Sequence, residues 1–443
     1  MIPNPKYFEA WPACPLLRSF LSLPNWRVFL CLLTFFLTKN GYSCNLAAYT
    51  THPPFSKENS RLKDIEKERV MIKMAAEKAA QRIVQPRAAK IDATREFPWD
   101  LVDAFGRQGF LSILLPESYG GTDGNVTLFC MVIEEIAKVC GSSSLILLAQ
   151  GMGTLPILLA GSPSQKEFYF SEISEKNSLT AFALNEKGGE LEAPSLKTRA
   201  EKMGKDYLIH GQKYFITHGS LAKVYSVFAV TQPEQGAKGI SAFLVEEGTP
   251  GLLFGKKEEK IGMRGAVMTE VIFENCRVPH ENLLGEEGKG WEIAITTLNR
   301  SKPAIGALAV GIAQGALNVA IRYANERIQF GKPIASFQAI QFMIADMATH
   351  VEAARALVYK SASQMDGKLE DTEKLATISK YFASEIAMKV TTDAVQILGG
   401  YGYMKDYSVE RMMRDAKVTQ IFEGVNQAQR WIVAQQLLRD SSA

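Results

Sequence analysis

The sequence is short of the features that mark several function classes. Its formal net charge is only +3 over 443 residues. That argues against a duplex nucleic-acid binder, which concentrates Lys and Arg on one face to displace counterions. The five histidines, His52, His210, His218, His280 and His350, show no HExxH or other ligand spacing, so no metal is expected. No CxxC pair occurs among the six cysteines, and after residue 56 only Cys130, Cys140 and Cys276 remain. Structural disulfides are therefore not expected, and the cysteine usage suits reducing surroundings. Acidic residues are almost missing from residues 1–56, where Glu9 stands alone among seven prolines, three cysteines and two tryptophans.

That leader holds an apolar run at 28–37, behind Arg18 and Arg27. The run has the length of a signal-peptide core and is too short for a comfortable membrane span. Three readings of it stand side by side: a secretory or anchoring segment, an acidic-poor organellar transit peptide, and a start codon assigned too far upstream. The rest of the chain is ordinary. At 47% hydrophobic, 22% charged and 9% aromatic residues the whole sits near the soluble globular average, with room for two or three domains. Small-molecule chemistry is the natural expectation.

Apolar residues recur at helical spacing from 62 to 84 (Ile65, Val70, Ile72, Ala76, Ala79, Ala80, Ile83) until Pro86. Further helical stretches continue to about 176, giving an all-helical N-terminal domain over 57–176. Short runs rich in β-branched and aromatic residues follow at 180–184, 207–210, 213–217, 224–231, 240–245 and 271–273. Their spacing predicts a small β-barrel or sandwich domain over 177–290. After Gly290 four long helical segments are predicted, at about 291–328, 336–366, 371–398 and 408–438, broken by Gly331-Lys332-Pro333, Asp366-Gly367 and Gly399-Gly400-Tyr401-Gly402. Their lengths and short connections imply a C-terminal four-helix bundle over 291–443.

Four stretches in order resemble the acyl-CoA dehydrogenase family: Gly211-Gln212-Lys213-Tyr214-Phe215-Ile216-Thr217, Arg327-Ile328-Gln329-Phe330-Gly331, Gln396-Ile397-Leu398-Gly399-Gly400-Tyr401-Gly402 and Ile421-Phe422-Glu423-Gly424-Val425-Asn426-Gln427. The likeness runs from about 60 to 438. It implies an FAD enzyme that converts an acyl-CoA to the trans-2-enoyl-CoA and passes electrons to an electron-transfer flavoprotein. It also implies a homotetramer, at least a homodimer, in the cytoplasm of a bacterium or the mitochondrial matrix of a eukaryote.

Glu423 occupies the place of the family's usual base. It reads as part of a helical region with apolar flanks (Ile421, Phe422, Val425), beside Gly424, where a thioester could approach closely. Apolar walls raise a carboxyl's pKa and make it a competent base for a weakly acidic C–H; without the resemblance, a surface glutamate on an amphipathic helix is the commoner state. Some family members carry the base on the first bundle helix, where this chain has Ser301, which cannot serve.

The resemblance places Phe182, Leu184, Asn185, Phe215, Thr217, Arg327, Phe330, Gln338, Gln396, Gly399, Gly400, Val425 and Gln427 at the FAD, and Leu191, Asn299, Lys302 and Gly424 at the substrate. On pattern alone Phe215 reads as an ordinary core-strand residue, Arg327 as a helix C-terminal cap, and Gly399-Gly400 as a helix stop. The family's Thr-Glu-Pro-x-x-Gly-Ser-Asp is replaced by Asn185-Glu186-Lys187-Gly188-Gly189-Glu190-Leu191-Glu192. Asn185 can still hydrogen bond, whereas Leu191 cannot through its side chain. Asn299 and Lys302 stand where Asp and Arg are common, and Val425 replaces a threonine. These swaps mark a divergent member. They leave open a same-scaffold enoyl reductase, a dehydrogenase acting on another acyl carrier, and a catalytically weak flavoprotein subunit of an electron-transfer complex.

Overall fold

A computed structural model describes residues 55–188, 196–369 and 372–440. The leader with its 28–37 run, and Leu191 with its neighbours Glu190 and Glu192, lie outside the described residues. The chain forms two compact units, Met1–Lys67 and Glu68–Ala443, and every predicted site residue belongs to the second.

The N-terminal helices are α1 (Phe55–Ala79), α2 (Ala88–Thr94), α3 (Trp99–Arg107), α4 (Val126–Ala137), α5 (Gly141–Ala160) and α6 (Pro163–Lys176). Local chemistry sets their ends. Ser162 and Gln165 form a reciprocal capping box at α6, with Pro163 in the first turn. At α4 the Asn125 side chain accepts from the Leu128 N–H at 2.9 Å, while the Asp366 carboxylate accepts from the Val126 and Thr127 N–H groups at 2.8 and 3.1 Å. An acceptor from far along the chain thus satisfies two of that helix's orphan donors. Helix α5 is apolar and long enough to cross a membrane by composition, but 83% of its apolar window is buried within the protein, which makes it a core helix.

The strands are β1 (Thr180–Ala183), β2 (Arg199–Met203), β3 (Asp206–Thr217), β4 (Val224–Val230), β5 (Ile240–Glu246), β6 (Leu252–Lys257), β7 (Met268–Val278) and β8 (Leu283–Leu284). They form one sheet with the path β6-β7-β3-β2-β4-β5-β8, and β1 lies parallel beside β4. Among the described residues the path does not close into a barrel. All seven residues of β4 are buried, as expected for a strand covered on both faces. The runs predicted at 207–210 and 213–217 are one strand. Gly211 joins them at φ +151°, where a Cβ would come within 2.6 Å of the Thr198 Cα. Sequence pattern missed β2, β6 and β8; β2 buries only Ala200 among charged neighbours, so no alternation marks it.

The C-terminal helices are α7 (Gly290–Glu326), α8 (Gln338–Asp366), α9 (Thr372–Leu398), α10 (Val409–Thr419) and α11 (Asn426–Asp440), with a two-stranded hairpin, β9 (Ile328–Gln329) and β10 (Lys332–Pro333), between α7 and α8. Helix α7 runs through the centre, packed on α4, α5, α8, α9 and α10. The segment predicted as one helix over 408–438 is two. Glu423 and Gly424 both adopt left-handed backbone, at φ +53° and +89°, which a right-handed helix cannot contain. The expectation that Glu423 lies in a helical region is therefore corrected: it lies on the loop between α10 and α11.

Candidate active site

Left-handed backbone at a non-glycine residue costs roughly 1–2 kcal/mol, so the Glu423 loop needs an anchor. Lys380 of α9 supplies it. Its Nζ donates to the Gly424 carbonyl at 2.8 Å and to Asn426 Oδ1 at 3.1 Å. Asn426 in turn donates from its backbone to Gln420 O at 3.0 Å, and from Nδ2 to Ser384 Oγ at 2.9 Å and Glu385 Oε1 at 2.7 Å. Lys380, Ser384 and Asn426 are buried. Lys302 of α7 joins the same patch from the facing helix, donating to Asn299 Oδ1 at 2.7 Å and Thr377 Oγ1 at 2.9 Å.

Burial pushes the Glu423 carboxyl up to about 7, with Lys380 pulling the other way. The residue as a whole is half-buried. Burial lowers Lys380 to about 8, where Glu423 and Glu385 support its charge and Lys302 opposes it. Lys302 is lowered to about 8 by the same cause, with Glu373 opposing. Ser301 is buried and donates to Leu298 O at 2.8 Å. It borders a cavity of about 200 Å³ together with Leu114, Phe129, Met152, Leu155 and Arg300.

A second group of predicted residues gathers at one corner of the sheet. The β3–β7 register shifts between Lys213 and Ile216, and there Phe215, at φ +58°, is turned out to 59% exposure. It is therefore not the core residue that pattern alone suggested. Lys213 turns inward instead, donating to Glu186 Oε1 at 2.7 Å and Leu184 O at 3.0 Å. Burial lowers Lys213 to about 8 against the pull of Glu186. Burial also works against the Glu186 charge, but Lys213 and the N–H groups of Lys197 and Thr198 outweigh it and hold the carboxyl below its ordinary range. Beside Phe215, the Tyr214 N–H donates to Asn185 O at 2.9 Å. Thr217 is half-buried, Leu184 is buried, and Phe182 meets Phe228 edge-on at 5.1 Å.

The third group occupies ends of bundle helices. Arg327 does cap α7 with its backbone, donating to Tyr323 O at 2.8 Å, while its guanidinium lies over the Tyr401 ring at 5.4 Å. Phe330, at the hairpin tip, is 91% exposed. Gln338 is the first residue of α8, exposed as are Gln396 and Gln427, and Val425 is 39% exposed. Gly399, at φ +60°, does stop α9, and an added Cβ at Gly399 or Gly400 would meet nothing within 4 Å. Val425 belongs to the Glu423 loop and Gln427 to the first turn of α11, whereas the others lie on open surface away from that loop, with Arg327 against Tyr401.

Sequence reasoning missed Lys380, Thr377, Ser384 and Asn426. A signal was present: Lys380 falls in the inward stripe of α9 with Ala376, Ala383 and Ala387, where a lysine needs a buried partner.

Family models for the acyl-CoA dehydrogenase N-terminal, middle and C-terminal domains match residues 66–176, 181–276 and 288–438. The chain belongs to the acyl-CoA dehydrogenase family. It is 50% identical over 374 residues to a cyclohex-1-ene-1-carbonyl-CoA dehydrogenase of Syntrophus aciditrophicus, covering 84% of this chain and 90% of that one. Butyryl-CoA dehydrogenase of Megasphaera elsdenii superposes with TM-score 0.81 at 39% identity, over 84% of this chain and 98% of that one. A chain from a structure described as the electron transferring flavoprotein of Acidaminococcus fermentans gives TM-score 0.82 at 44% identity, over 84% and 98%. As a family member the acyl-CoA dehydrogenase chain is an oxidoreductase acting on acyl-CoA, with FAD as cofactor. Its residues fit that group. A flat aromatic side chain, Phe215, is held out of the core at 59% exposure, next in the strand to Tyr214, which pairs with Asn185, as a surface able to stack on a planar ring would be.

Proposed function

We propose that Glu423 removes the α proton of an acyl-CoA thioester, which becomes the trans-2-enoyl-CoA. The observation that carries this reading is a carboxyl raised to about 7 by burial, partly open to solvent, on a loop pinned in left-handed conformation. Such a base is strong enough to act on a weak carbon acid and is still substantially ionised near neutral pH. Among the described residues the Glu423 N–H donates to no protein acceptor, which leaves it free to polarise the thioester carbonyl and so acidify the α carbon. FAD, when bound, supplies the acceptor for the β hydrogen leaving as hydride, with the electrons going on to an electron-transfer flavoprotein.

Phe182, Leu184, Asn185, Phe215 and Thr217 would hold the ring system of the cofactor, with Val425 and Gln427 near it. Arg327, Phe330, Gln338, Gln396, Gly399 and Gly400 would serve its phosphate end from a neighbouring subunit. Their exposure on bundle ends supports that division, as does the guanidinium's capacity for bidentate phosphate bonding. A homodimer is then the smallest complete unit, and a homotetramer the expected assembly. A short or alicyclic acyl group suits the named relatives. Lys302 and Asn299 would border the thioester end.

Anaerobic mixing of the yellow holoenzyme with butyryl-CoA and cyclohexane-1-carbonyl-CoA, both of which carry an α hydrogen, should bleach its flavin absorbance. A Glu423→Gln enzyme should stay yellow, and full bleaching in that variant would remove the assignment.

A further inference from the structure

The hydrogen bonds around the 420–426 loop converge on a side chain that the dehydrogenation scheme leaves without a task. Lys380 is 0% exposed, and its ammonium reaches the carbonyl of the residue directly after the base and the side chain of the residue three after it. We propose that Lys380, together with Asn426, positions the Glu423 carboxylate for proton abstraction, pinning the loop and setting a cation against the base. The proposal rests on Glu423 being that base.

The charge inventory supports it. A buried ammonium is costly unless a counter-charge faces it. Gly424 O and Asn426 Oδ1 are neutral acceptors and take two of its three N–H groups. The charged groups facing Lys380 are Glu423 on the loop, Glu385 on its own helix and Lys302 on α7, with Glu373 facing Lys302 in turn. Lys302 repels Lys380, and Glu385 is bound by Asn426 Nδ2. Glu423 and Glu385 both answer the charge of Lys380, Glu423 more strongly and from the loop that carries the base. Asn426 links the two devices, accepting from Lys380 through Oδ1 while donating to Ser384 and Glu385 through Nδ2, so its amide orientation is fixed. The loop therefore cannot relax to ordinary backbone without breaking a buried network at three points.

The test uses FAD-loaded full-length enzyme and the variants Lys380→Met, Lys380→Arg and Asn426→Ala. Glu423 is titrated without substrate by infrared difference spectroscopy, with Glu423→Gln identifying its carboxyl band. In Lys380→Met the midpoint should rise by about one pH unit or more, because the stabilising cation is gone. Flavin reduction by butyryl-CoA at pH 7 should slow roughly 10–100-fold with Kd changed less than about threefold, since the loss falls on the base rather than on binding. Lys380→Arg should recover most of both. Asn426→Ala should slow reduction roughly 3–10-fold with little movement of the midpoint.

A folded Lys380→Met enzyme with an unmoved midpoint or a wild-type reduction rate overturns the proposal. Where Lys380→Met does not fold, Asn426→Ala decides, and a wild-type rate there overturns it equally. If no thioester reduces the wild-type flavin, the base reading fails by itself, and the titration still decides whether Lys380 acts on Glu423.

Discussion

Replacing Glu423 by Gln should make the protein more stable in alkaline solution and leave it unchanged in acid. The carboxyl stands at about 7 instead of its ordinary 4.5 because burial disfavours its charge. Below pH 4.5 it is protonated in both folded and unfolded chains, so it costs nothing. Between 4.5 and 7 the unfolded chain releases the proton while the folded chain retains it, and wild-type stability falls as pH rises. Above 7 the full cost is present. At ~1.36 kcal/mol per pH unit the ceiling is about 3.4 kcal/mol. Lys380's attraction is already contained in that value, and solvent at the open side trims it, so a gain of about 1–3 kcal/mol is expected. Glutamine keeps the shape and removes the charge. For a chain of 443 residues Tm should therefore rise by roughly 1–3 °C at pH 8 and by nothing at pH 4.5. Comparing variant with wild type at each pH cancels every other titrating group. An equal Tm difference at both pH values, or a more stable wild type at pH 8, would refute the reasoning.

The wild-type kcat/KM for a thioester should climb about tenfold from pH 6 to pH 8 as a base titrating at about 7 ionises, and a flat profile would count against Glu423. Phe215→Ala should lower the flavin-to-protein ratio after gel filtration, because 59% of that ring is exposed and its loss removes no core packing. Asp366→Ala should cost about 1–2 kcal/mol in urea unfolding, since it strips the cap from two helix donors. Lys213→Met should cost more, roughly 3–5 kcal/mol, by leaving Glu186 charged and buried without its cation, and the double change Lys213→Met with Glu186→Leu should recover much of that loss.

Long periodic elements were legible from residues alone. The apolar stripes of α7, α8 and α9 and the β-branched runs of β4 and β5 are covered by protein on the faces their spacing predicts. What escaped was set by contacts distant in sequence. β2 exists because β3 and β4 offer it partners, despite its Arg-Ala-Glu-Lys-Met composition. The helix predicted over 408–438 breaks because Lys380, some 40 residues earlier, captures the Gly424 carbonyl, a competition invisible to helical periodicity. Phe215 looked like a core residue because alternation assumes a regular strand, and a register shift reverses which side chains point inward. The Glu423 position was readable from its motif, but the contact that holds it was not, since Asn426 in that motif and Lys380 in the inward stripe of α9 are more than 40 residues apart and no local pattern pairs them.

The Asp366 carboxylate also bears on the order of events during synthesis. Helix α4 emerges 240 residues before the side chain that caps its first N–H groups. At ~5–20 residues per second, the ribosome needs roughly 12–48 s to deliver that partner. For that interval the nascent N-terminal domain carries a helix start satisfied only by water and Asn125, and its apolar α5 lacks the α7 surface that later covers it. The first domain made is thus among the last to be completed, and a nascent chain stalled shortly before residue 290 should be a preferred client for chaperones that bind exposed apolar helices.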